Sequence, residues 1–167
     1  MATVTISYSS NTAITMDLGS LATSATWVAG RESSEIDNTT NKYVDALVQG
    51  EVTVGTTPST IPSTINIYVW GADESLSTAP INDLDGTDSA ETITTSQAGS
   101  LKLGAYIPVL VNTSNVTYRV APFSVAQLFG GVMPKFWGLF VAHNTGVNLN
   151  ATNANLFSYN GIKYDVA

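Results

Sequence analysis

The sequence has no cysteine, a single histidine and few charges: Asp, Glu, Lys and Arg make up 11% of its 167 residues. Without cysteine there is no disulfide framework, no thiolate zinc site and no cysteine nucleophile. Basic residues are the scarcest charged class. The six Lys and Arg lie scattered at Arg31, Lys42, Lys102, Arg119, Lys135 and Lys163, against thirteen acidic residues and a net charge of −7. Phosphate-backbone affinity needs clustered cations, so nucleic acid is excluded as a partner, and docking on an anionic membrane fails for the same reason. The opening residues 1–10 have neither a basic start nor an apolar stretch, so no conventional secretion is expected. Residues 122–142 are mostly apolar, but Gln127, Gly130, Gly131, Pro134 and Lys135 interrupt them. They read as a lead-in loop and a buried strand, not a membrane span.

What the chain does have is Thr, Ser and Asn, together almost a third of it. Charged residues normally make up about a quarter of a globular domain, so these neutral side chains must supply the polar surface. They compete for nearby backbone hydrogen bonds and so favour strands and turns over helix interiors. The expectation is an all-β domain covering 1–167, with residues 1–10 as an arm able to pair with a partner.

Period-two alternation supports this. Residues 3–8 put Val4, Ile6 and Tyr8 on one face and Thr3, Thr5 and Ser7 on the other. Further strands are predicted over 13–18, 25–29 and 43–55, with Gly50 marking a bulge. Residues 65–70 set Ile65, Ile67 and Val69 against Asn66, Tyr68 and Trp70. Residues 101–111 predict a strand that Pro108 assigns to an edge or a bulge, with 115–120 as its hairpin partner. Residues 123–129 suit one or two helical turns ended by Gly130-Gly131, and 136–142 a buried strand. Asn160-Gly161, flanked by Phe157-Ser158-Tyr159 and Ile162-Lys163-Tyr164, predicts a closing hairpin with a type I′ turn. The sum is an antiparallel β-sandwich, jelly-roll-like, of about eight to ten strands with at most one or two short helical turns.

Chemistry is hard to find. His143 precedes Asn-Thr-Gly and reads as a turn residue, and no serine sits in a nucleophile-elbow pattern, so no catalytic residue is assigned. The acidic stretch Asp73, Glu74, Asp83, Asp85, Asp88 and Glu91 invites a calcium reading. It misses the EF-hand register, because aligning Gly86 with the invariant glycine places Ile81 at the first ligand position. It therefore reads as a solvated acidic loop, and no metal or cofactor is assigned. Trp27, Trp70 and Trp137 sit within apolar segments and read as packing residues more readily than as a sugar-stacking platform.

The sequence resembles small bacteriophage virion proteins of the head-decoration or capsid-cement kind, built on a jelly roll. The likeness lies in Ile36-Asp37-Asn38, in Tyr43-Val44-Asp45-Ala46-Leu47-Val48-Gln49-Gly50 and in Ile65-Asn66-Ile67-Tyr68-Val69-Trp70-Gly71. It continues through Leu84-Asp85-Gly86-Thr87-Asp88, Pro122-Phe123-Ser124-Val125-Ala126, Phe129-Gly130-Gly131 and Pro134-Lys135-Phe136-Trp137-Gly138-Leu139-Phe140-Val141, and ends with His143-Asn144-Thr145-Gly146 and the Tyr-rich C-terminal segment. The resemblance implies a non-enzymatic subunit made in the host cytoplasm and carried on the virion, on the outside of an icosahedral head. Its implied partners are the major capsid protein and further copies of itself, as a trimer or dimer. The alternative is a tail-tip, fibre or carbohydrate-binding module. The residues expected to meet a partner are Val4, Ile6 and Tyr8 on the arm and Phe123, Phe129 and Pro134 in the apolar loop.

Overall fold

Alternating apolar residues in short segments force the chain into strands that each bury one face. The computed structural model describes residues 3–81, 83–94 and 98–166. The strands are β1 (Val4–Tyr8), β2 (Thr12–Ile14), β3 (Ala29–Glu32), β4 (Ile36–Asp37), β5 (Asp45–Thr53), β6 (Ser63–Ala72), β7 (Ala90–Thr92), β8 (Lys102–Val109), β9 (Thr117–Ser124), β10 (Phe136–His143) and β11 (Phe157–Val166). One helical turn, α1 (Val125–Leu128), is capped by the Ser124 hydroxyl, which accepts from the Gln127 amide.

Among the described residues all strand ladders are antiparallel and fall into two sheets. The first runs β1-β11-β5-β9, with β2 also pairing β11; the second runs β7-β3-β10-β6-β8, with β4 pairing β10. Taking β2, β3, β5, β6, β8, β9, β10 and β11 as the eight principal strands, the sheets read β2-β11-β5-β9 and β3-β10-β6-β8. That is the wiring of a jelly roll, the double-sheet solution that folds two Greek keys over one core.

Between the sheets lie Ile14, Val48, Val52, Ile65, Ile67, Val69, Trp137, Leu139, Val141 and Phe157, all buried. The Trp137 ring meets Tyr159 edge-on at 5.2 Å. A second apolar cluster sits on the outward face of the second sheet: Trp70, Phe140 and Ala142 lie beneath Leu76, Leu84, Ile93 and Leu101 from the β6–β8 connection. The outer side chains of β10 are therefore covered as fully as its inner ones. This is why its sequence is an almost unbroken apolar run where one-sided burial would give alternation.

Three sequence expectations are corrected. Residues 25–27 form a turn, with Trp27 at φ 55°, and the strand starts only at Ala29. Strands β8 and β9 are not a hairpin: β8 pairs β6 while β9 pairs β5, so the intervening chain crosses from one sheet to the other. Asn160-Gly161 is not a turn, because β11 runs unbroken through it. The bulge expected near Gly50 is present as a register shift between Val48 and Gly50.

Candidate functional site

The arm, β1, lies on the C-terminal half of β11 of its own chain. Val4 faces Val166, Ile6 faces Tyr164 and Tyr8 faces Ile162. Directly opposed residues in a ladder share a face, so these six apolar side chains form one surface. Phe157 and Tyr159 point into the core, and the period of two turns Ile162, Tyr164 and Val166 outward. The surface is bare: Val4, Ile6, Tyr8, Tyr164 and Val166 are each 60–72% exposed and belong to neither apolar cluster. The reverse side carries Thr5, Ser7, Lys163 and Asp165, with Lys163 Nζ 3.4 Å from Asp165.

The root of this ribbon is well fastened. The Ser9 amide donates to Gly161 O at 2.8 Å, the Gly161 amide donates to Ser9 Oγ at 2.8 Å and Asn160 Nδ2 donates to Ser9 O at 2.9 Å. On the other edge the Val44 amide donates to Ile162 O at 2.8 Å. The β5 ladder ends at the pair Ile162–Asp45, and from Lys163 onward the described ladder joins β11 to β1 alone. A two-stranded ribbon with one apolar face thus extends the first sheet beyond its four-stranded body.

Phe123, Phe129 and Pro134 go elsewhere. All three are half-buried. Phe123 lies over Gly104 of β8, while Phe129 and Pro134 close over Gly71 of β6, positions where a Cβ would crowd them. Their contacts are thus internal, and none of the three belongs to the ribbon face.

A second bare surface was not singled out in the sequence. On β8, Ile107 and Val109 enter the core, which leaves Tyr106 and Pro108 facing outward. Tyr106 is 58% exposed, and Leu103, Leu110 and Val111 beside it are exposed as well. Pro108 marked β8 as an edge strand, which the sheet order bears out, but it gave no sign that the outward face is bare.

Of the titratable groups, His143 is fully buried, with Nε2 3.1 Å from Leu21 O and Nδ1 3.0 Å from Thr145 Oγ1. A carbonyl can only accept, so Nε2 carries the proton. Burial lowers the pKa of the ring, with the Leu21 bond opposing. It ties residues 19–23 to the end of β10.

In the acidic connection Asp73, Glu74, Asp83 and Asp85 are exposed, as a solvated acidic loop requires, while Asp88 and Glu91 are half-buried and the backbone between them is held to the sheet. Glu32 of β3 is fully buried and accepts from the Asp85 and Gly86 amides at 3.0 Å each; Glu35 accepts from the Leu76 amide and the Ser75 hydroxyl at 2.7 Å each. Arg31 Nε donates to Asp88 at 2.6 Å. Carboxylates and apolar side chains together hold the connection down on the sheet. Burial pushes the Glu32 carboxyl from its ordinary 4.5 up to about 7, against the pull of its two amide donors. Among the described residues no group of three or more His, Cys, Asp or Glu is placed to hold a metal ion. No described helix is long and apolar enough to cross a membrane.

Trp70 and Trp137 are buried, and the half-buried Trp27 donates its Nε1–H to Thr64 Oγ1 at 3.1 Å. No family model matches the chain, and no curated protein matches it.

Proposed function

We propose that this chain is a structural virion subunit of the capsid-decoration kind. It binds the outside of an icosahedral phage head and bridges neighbouring capsomers, without chemistry of its own. The observation that carries this reading is the pair of bare apolar surfaces on the outward faces of opposite sheets, one on the β1–β11 ribbon and one along β8. A bridging subunit needs at least two contact surfaces, to the shell or to a further copy that makes its own shell contact, so that several modest contacts add through effective concentration. A jelly roll holds such surfaces apart on a rigid body, and this fold serves in viral shells as well as in lectins. The low charge density suits flat contact, since few ions must be stripped of water. The sugar-binding alternative is less favoured, because Trp70 and Trp137 are buried and the half-buried Trp27 has its Nε1–H engaged by Thr64.

The test is a copy count by quantitative mass spectrometry on density-purified virions from the source lysate. A number in simple ratio to the major shell protein is expected. A handful of copies would move the chain to the tail or fibre, and absence from the particle would overturn the virion assignment.

A further inference from the structure

The apolar face of the ribbon has the chemistry of an interface, and its occupant can be argued from its own geometry. We infer that it is covered by the same face of a second copy of this chain, the two ribbons packing face to face about a two-fold axis through the Ile6–Tyr164 pair. This goes beyond the virion assignment and does not depend on it.

Four observations converge. The first is area. The six residues expose roughly 600 Å² in all, backbone and phenol oxygens included, at the upper limit for an apolar patch on a monomer, and two such faces in contact would bury at most ~1,200 Å², the lower end of specific interfaces. The second is charge. Each copy carries −7, yet Lys163 and Asp165 both lie on the reverse of the ribbon, so the apolar face brings no charge towards its counterpart.

The third is shape. One end of the face is the small pair Val4–Val166 and the other the larger pair Tyr8–Ile162, with Ile6–Tyr164 between. A two-fold axis at the centre lays the small end of one copy on the large end of the other, the self-complementarity an isologous contact requires. The fourth is the ribbon itself. Beyond Ile162 its described ladder is two-stranded, and such ribbons are at best marginal in water unless something packs on their apolar side.

The test is sedimentation equilibrium on the purified full chain. A dimer is expected for the wild type. The double substitution Ile6→Thr/Tyr164→Thr, which keeps β-forming residues in both strands, is expected to halve the sedimenting mass to the 17.6 kDa of one chain. Lys163→Gln on the reverse face should leave the dimer intact. Ile6→Lys and Ile6→Glu should each be monomeric and form a dimer when mixed, which only a contact near the axis can produce. Unchanged thermal melting of the core in each variant separates lost association from lost folding. A monomeric wild type, a dimer that survives the double substitution, or a dimer lost in Lys163→Gln would each overturn the proposal. None of these results depends on a virion, so the copy count can fail while this inference stands, and the reverse.

Discussion

A Cβ at Gly161 would collide with the ring of Tyr43, and this explains an Asn-Gly pair in the middle of a strand. The same dipeptide that suits a type I′ turn here serves close ring-on-backbone packing, with Asn160 turned to the Ser9 carbonyl. Gly161→Val should cost about 1–3 kcal/mol by overpacking, seen as a lower urea midpoint at unchanged slope. An unmoved midpoint would mean the ring has room to swing aside. Nothing local in the sequence distinguishes the two uses of Asn-Gly, because Tyr43 lies more than a hundred residues away. At Glu32 the folded-state pKa lies above the unfolded one, about 7 against 4.5. Between those values the folded chain holds more protons, so stability is greatest below pH 4.5 and falls as pH rises through 7, by roughly 3 kcal/mol. In urea melts at pH 5 and pH 8 the stability of Glu32→Gln should rise relative to the wild type by that order between the two pH values. His143 works in the opposite sense: its lowered pKa gives stability present above pH 6.5 and lost as pH falls. A flat wild-type profile would therefore prove little without the variant.

Among the elements, the cover over the second sheet carries the most stability that local sequence hides. Leu76, Leu84 and Ile93 are separated by short irregular turns, so no period announces that they share a cluster with Trp70 and Phe140. Strand β6 was legible because its alternation is strict over six residues; β10 was legible as buried, but not the reason for it. The false hairpin of β8 and β9 has the same origin as the false turn at Gly161: proximity in sequence suggested pairing that the jelly roll assigns to distant strands. Half of the ribbon face was readable from Val4, Ile6 and Tyr8, whereas its partners Tyr164 and Val166 were obscured by the expected turn. Leu84→Ala should destabilise the fold by about 2–5 kcal/mol and let water reach the Trp70 indole. A red shift in tryptophan emission before global unfolding would report that opening. Emission unchanged up to the main transition would show that cover and sandwich melt as one unit.

At the scale of the molecule, low charge density and two bare apolar faces set how copies meet. Thirteen acidic side chains against six basic ones make two copies repel at long range, while the ribbon face carries no charge to be screened. Added salt should therefore strengthen self-association modestly. A few-fold lower dissociation constant is expected between roughly 20 and 300 mM NaCl, as the Debye length shrinks from about 20 Å to under 10 Å. Weakening over that range would point to contacts made by ion pairs.

The way the cover is fastened has a practical consequence. Glu32 and Glu35 grip backbone amides at Leu76, Asp85 and Gly86, and Leu76 and Leu84 are buried beside those points, so the hold does not rest on the exposed side chains in between. Ser77, Thr78, Ala79 and Pro80 are exposed in that interval and contribute nothing to either apolar cluster. A foreign epitope grafted between Thr78 and Ala79 would thus ride on a loop clamped close by at Ser75 and Leu76, presented outward by a scaffold indifferent to its sequence.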